Sequence, residues 1–115
     1  MRKVEKDMIQ ALIAGTAMGS RNTTVTAPDS DGVQRVFLHG HEIATYYRET
    51  GTLDMSLCGW NTTTTRSRLN ALACAFGVEG FSQRDFAAYH GERMIDPSDK
   101  ISTRVVRPTL PTWVR

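Results

Sequence analysis

A chain of 115 residues is long enough for one domain with a core of its own, without metal or disulfide staples. With 40% apolar and 23% charged residues it reads as an ordinary globular protein, which excludes a disordered chain. A formal net charge of +2 is too small to argue for nucleic acid by itself, but Lys100, Arg104, Arg107 and Arg115 fall in a C-terminal stretch that holds no acid.

Residues Met1 to Asp7 are mixed in charge, and the apolar run behind them is too short for a secretory signal. No stretch reaches transmembrane length, so an intracellular protein with no membrane partner is expected. The Asn-Thr-Thr sequons at Asn22 and Asn61 then count as chance matches. Val4, Met8, Ala11 and Leu12 lie at helical spacing and predict a short amphipathic helix over 3–14, with Gly15 as its stop. Gly15 to Ser20 reads as a flexible link; without a Gly-Lys pair it is no phosphate loop.

From Asn22 the period changes to that of strands. Asn22–Thr26 is rich in β-branched residues, and Pro28-Asp29-Ser30-Asp31-Gly32 is a turn. Val33–Leu38 makes the returning strand and His39-Gly40-His41 a tight turn. Glu42–Tyr47 is a third strand, with Ile43, Thr45 and Tyr47 expected on one face. After the turn at Glu49-Thr50-Gly51, Leu53, Met55 and Leu57 alternate with Asp54, Ser56 and Cys58, as on a sheet with one packed and one wet face. Four strands with short turns predict an antiparallel meander.

A helix over 62–76 follows, with Thr62 or Thr63 as N-cap, Leu69, Leu72, Ala73 and Phe76 as its buried stripe, and Gly77 as its stop. Arg66 and Arg68 stand in its first turns, where positive charge opposes the helix dipole by about 0.3–1 kcal/mol each at exposed sites. Either they serve a ligand, or their stems cover the sheet or they pair with Asp54. Residues 78–96 are ambiguous: Ser82-Gln83-Arg84-Asp85 suits a helix cap, yet Phe81–Tyr89 suits a strand pairing along the edge of the meander, and the strand is preferred. From Pro97 the chain reads as an extended tail, with Pro108, Pro111 and Trp113 fitting neither a helix nor a central strand. The expected fold class is therefore α+β, a single domain over 1–115. It divides into an N-terminal helix and link (1–21), a sheet–helix core (22–96) with four or five strands, and an extended basic tail (97–115).

Reaction centres are scarce. His39 and His41 with His90 lack a carboxylate or cysteine at metal-ligand spacing, so no metal and no cofactor is expected. There is no Gly-x-Ser-x-Gly elbow, Cys58 and Cys74 have no evident histidine partner, and Asp29/Asp31 and Asp96/Asp99 sit in turns. The reading is of a binding protein with no catalytic residue. The helix start offers backbone N–H groups, the hydroxyls of Thr62, Thr63, Thr64 and Thr65, and the forked guanidinium groups of Arg66 and Arg68, which suit a phosphate. Tyr46 and Tyr47 point to opposite faces of their strand, so one of them, or Phe37 beside it, presents a ring on the wet side that can stack a base near Arg35, Arg48, Arg66 and Arg68, and Tyr46 is taken as the candidate.

The blocks Val36-Phe37-Leu38-His39-Gly40-His41-Glu42-Ile43-Ala44 and Gly59-Trp60-Asn61-Thr62-Thr63-Thr64-Thr65-Arg66-Ser67-Arg68-Leu69-Asn70-Ala71-Leu72 resemble a family of small tailed-bacteriophage accessory proteins. In that family a strand of the type LHGN-x-IA precedes a helix of the type GW-x-T-x-TT-xx-RLNALL. Gln83–Tyr89 is similar to the strand that follows but lacks its tryptophan. The likeness covers about residues 22–90, leaving out the first helix and the tail. It implies a phage protein made in the bacterial host cytoplasm and acting in host takeover or immune evasion by binding, not by catalysis. The expected ligand is a nucleic acid or a nucleotide signal. The other expectation is a protein–protein inhibitor of a host factor, or a homo-oligomer, acting through Arg104, Arg107, Trp113 and Arg115 of the tail.

Overall fold

The computed structural model describes residues 1–105, which form two helices and nine strands in an α+β arrangement. Helix α1 (Lys3–Ala14) starts where Glu5 reaches back to accept from the Arg2 N–H at 3.3 Å, and ends at Gly15 in the left-handed region. Its buried stripe is Met8, Ile9, Ala11 and Leu12. The expected link is partly ordered. Strand β1 (Met18–Gly19) pairs antiparallel with β2 (Thr23–Val25), because Gly19 and the β-branched Thr24 lie in register.

Strands β3 (Val33–Leu38), β4 (His41–Tyr47) and β5 (Thr52–Met55) complete the predicted meander. The β2–β3 turn is held by Asp29, whose Oδ1 accepts from the Asp31 and Val33 N–H groups at 2.8 and 3.0 Å. These bonds and Arg35 hold the Asp29 carboxyl below the ordinary range. Between β3 and β4, His39 (φ 51°) and Gly40 (φ 80°) form the two-residue turn, both left-handed as a twist-matched hairpin requires.

A bulge corrects the expected face of β4. Val36 pairs with Ala44 but Phe37 pairs with Glu42, so Ile43 is the extra residue. Ile43, Ala44 and Tyr46 are all in the core, and Ile43 does not simply share a face with Thr45 and Tyr47.

Helix α2 (Thr63–Phe76) is capped by Thr62, whose Oγ1 accepts from the Thr65 N–H at 3.2 Å, and ends at Gly77. Leu69, Leu72 and Phe76 pack into the same core as α1, the Tyr46 ring meeting Phe76 edge-on at 5.0 Å.

The strand preference for Phe81–Tyr89 holds against the helix alternative, but a turn at Asp85-Phe86 splits the segment into two paired strands, and they do not lie along the meander. Strands β6 (Phe81–Arg84), β7 (Ala87–His90) and β8 (Arg93–Ile95) make a separate three-stranded sheet. Asn70 of α2 covers its β6 edge, accepting from the Phe81 N–H at 2.6 Å and donating to the Phe81 carbonyl at 3.0 Å. The edge beside β5 is taken instead by β9 (Ile101–Arg104), which gives the larger sheet six strands in the order β1-β2-β3-β4-β5-β9. Part of the expected tail is thus an edge strand, and Val105 beyond it is buried.

Candidate functional site

Three of the residues expected at a ligand are spent on the fold. Arg68 is 3% exposed: its Nη1 meets Glu5 Oε2 at 2.8 Å and its Nε donates to Thr23 Oγ1 at 3.1 Å. Ser67 Oγ donates to the same Glu5 oxygen at 2.5 Å. One buried carboxylate therefore ties α1, α2 and β2 together, and Arg68 is not free to hold phosphate. Its partner is Glu5, not Asp54, which accepts from Ser102 Oγ at 2.6 Å. Tyr46 is likewise a core residue, 6% exposed, because it shares the helix-covered face with Ala44 and Leu53. It cannot stack an incoming base. Thr65 is buried, and its Oγ1 lies 2.9 Å from that of Thr62.

Of the other arginines, Arg48 caps α1, donating to the Leu12 carbonyl at 2.5 Å and to Gln34 Oε1 at 3.0 Å. Cations beside the last carbonyls of a helix are favoured by its dipole. Arg35 lies 3.7 Å from both Asp29 and Glu42. Arg66 folds back over the start of α2, its Nη1 donating to Asn61 Oδ1 at 2.6 Å and to the Asn61 carbonyl at 3.0 Å. It is half-buried and stands at the helix end.

A cavity of about 430 Å³ opens at this end of α2. Its floor is Leu38, Ile43 and Leu57, and its rim carries His39, His41, Thr62 and Thr64 with Trp60 as a wall. The bulge supplies Ile43. The Cys58-Gly59 turn (φ 55° and 80°) swings the chain after β5 so that Trp60 stands over the opening. Trp60 is 54% exposed, its ring 5.7 Å from that of His41.

Thr62 satisfies the Thr65 N–H, and the Arg66 N–H takes the Thr62 carbonyl at 3.0 Å. The N–H groups of Thr63 and Thr64 precede any intrahelical acceptor, and no acidic residue stands in the first turn. An apolar floor, an aromatic wall and a positive helix end make a place for a flat ring joined to an anion.

Thr62, Thr64 and Thr65 therefore line one cavity at the start of α2 and Arg66 lines a depression on its other side, Thr63 is exposed and lines neither, and Arg68 and Tyr46 are turned into the core. Trp60, His39 and His41 were missed as a ligand wall, although all three stand in the motif blocks. What joins them is the paired turns, which spacing along the chain does not display. His90 lies elsewhere, Nε2 at 3.0 Å from the Glu79 carbonyl. Among the described residues no three of His, Cys, Asp and Glu gather as metal ligands. Burial pushes the Cys58 thiol up, and its Sγ donates to the Glu42 carbonyl at 2.9 Å, while Cys74 is exposed. Of the tail residues, Arg104 lies on the edge strand β9, and Arg107, Trp113 and Arg115 lie outside the described residues. Among the described residues no helix is long and apolar enough to cross a membrane.

A family model described as Kyanoviridae Gp96 protein matches residues 1–104. No curated protein and no solved structure matches the chain.

Proposed function

This chain belongs to the Kyanoviridae Gp96 protein family, a family of phage proteins, and from that premise we propose that it is a non-enzymatic binding protein of host takeover or immune evasion. Its ligand is a nucleotide, free or at the end of a nucleic acid, and its place of action is the host cytoplasm. The observation that carries this reading is the cavity at the start of α2. A base enters over Leu38, Ile43 and Leu57 against the Trp60 ring, and its phosphate meets the N–H groups of Thr63 and Thr64 at the start of α2, while Arg66 adds its charge from the neighbouring depression on the other side of that helix end. The volume of about 430 Å³ lies in the range of small-ligand cavities.

The test is a thermal-shift and titration series with mononucleotides, cyclic nucleotides and short oligonucleotides. A ligand at a hundredfold excess over its Kd stabilises the fold by about 2.7 kcal/mol, which displaces the melting curve by several degrees. Trp60→Ala, which removes the wall, and Thr64→Trp, which fills the rim, are each expected to weaken binding at least tenfold while the unliganded melting temperature stays near that of wild type. Binding that survives both substitutions would sink the reading, as would the absence of a shift with every phosphate compound.

A further inference from the structure

We propose that the Asp85–Phe86 tip of the β6–β7 hairpin is a self-docking knob, which seats in the cavity beside α2 of a second copy while the second copy's knob seats reciprocally in the first. Phe86 is 92% exposed, the most exposed large apolar residue among those described. Asp85 (φ 50°) and Phe86 (φ 67°) are the two central residues of the turn, and the second of these positions favours glycine. A bulky ring there contributes nothing to the packing of its own chain.

Knob and cavity match in chemistry. The ring of Phe86 fits the floor of Leu38, Ile43 and Leu57, within the roughly 430 Å³ available. The neighbouring Asp85 carboxylate is exposed and carries the charge that the start of α2 lacks, since no acidic residue stands in that first turn. An acid followed by an aromatic is thus set against a positive helix end beside an apolar hollow.

Knob and cavity also match in position. Thr64 lines the cavity, while Arg66 lines the shallow depression that holds Asp85 and Phe86. Residues two apart on a helix are separated by about 200° around its axis and about 3 Å along it. The two features therefore flank the same end of α2. A two-fold axis near that end brings each knob to the other copy's cavity, the self-complementary geometry of a closed dimer. Two single-ring anchors make a small interface, so the dimer is concentration-dependent. Nucleotide and knob compete for one cavity, but dimerisation needs only the protein, so either reading can fail alone.

The experiment is sedimentation velocity of the full chain over a dilution series. Wild type is expected to pass from the 12.8 kDa monomer toward twice that mass as concentration rises. Phe86→Gly is expected to stay monomeric at every concentration with an unchanged or raised melting temperature, since glycine relieves the left-handed position. Thr64→Trp, which fills the rim, is expected to be monomeric as well. Mixing these two variants leaves one intact knob and one open cavity, and is expected to restore association weaker than wild type. A wild type that remains monomeric throughout overturns the proposal. So does a Phe86→Gly protein that still dimerises, or a mixture that does not associate.

Discussion

At the scale of single residues, the decisive contact is the buried pair of Glu5 and Arg68, at 2.8 Å with side chains 4% and 3% exposed. Such a pair is held in place because each charge is desolvated and needs the other. Removing one partner strands a buried charge, at a cost of about 3–5 kcal/mol, whereas replacing both is often close to neutral. Arg68→Ala is therefore expected to lower the stability measured by urea unfolding by about that amount, and Glu5→Gln with Arg68→Met to recover most of it. Equal losses in the single and double variants would show that the stranded Glu5 charge is not the source of the cost. The same arginine, read along the sequence, stands at the wrong end of a helix for its charge. That anomaly was real, but its cause is an acid 63 positions away.

At the scale of elements, β9 shows how an extended, basic segment becomes part of a sheet. Thr52 pairs with Arg104 and Met55 with Ile101, so β9 covers what would otherwise be the free edge of β5. An uncovered edge beside a hydrophobic strand is a template for aggregation. A chain that ends at Lys100 is expected to melt at a lower temperature than one that retains 101–105 and to form aggregates on heating, as followed by light scattering. A truncated chain with an unchanged melting curve would make β9 a passenger. The second sheet depends on a different device. Asn70 mimics a neighbouring strand toward Phe81, and a Cβ at Gly80 would lie 2.6 Å from its Oδ1. That glycine leaves room for the α2 side chain to reach the backbone.

At the scale of the whole molecule, the two sheets share one core. Phe81, Ala88 and Ile95 of the smaller sheet belong to the same cluster as Leu69 and Leu72 of α2 and Met8 and Leu12 of α1. The radius of gyration of 13.1 Å matches the roughly 13 Å of a compact body of about 100 residues. Shared burial couples the parts, so unfolding is expected to be a single transition, with tryptophan fluorescence and far-ultraviolet dichroism coincident in urea. Two separated transitions would assign the β6–β8 sheet a stability of its own.

By itself the sequence determined the local elements: both helices with their glycine stops, the four strands of the meander, and the turns between them. Periodicity and turn chemistry act over a few residues, and Leu53, Met55 and Leu57 or Leu69, Leu72 and Phe76 carry that information in their spacing. The motif blocks likewise carried a phage kinship that the family match bears out in its coarse form. Only the tertiary structure decided what long-range contact controls. It turned Arg68 inward to Glu5 and Tyr46 inward to Phe76, gave the β5 edge to β9, and set 81–95 apart as a second sheet. It also gathered His41, Trp60 and Thr64 around one cavity. The register shift at Val36 and Phe37 and the left-handed turns at His39-Gly40 and Cys58-Gly59 shape that cavity. Whether a charge is buried or a ring exposed depends on which distant segment packs against it, and hydrophobic spacing along one element cannot specify that.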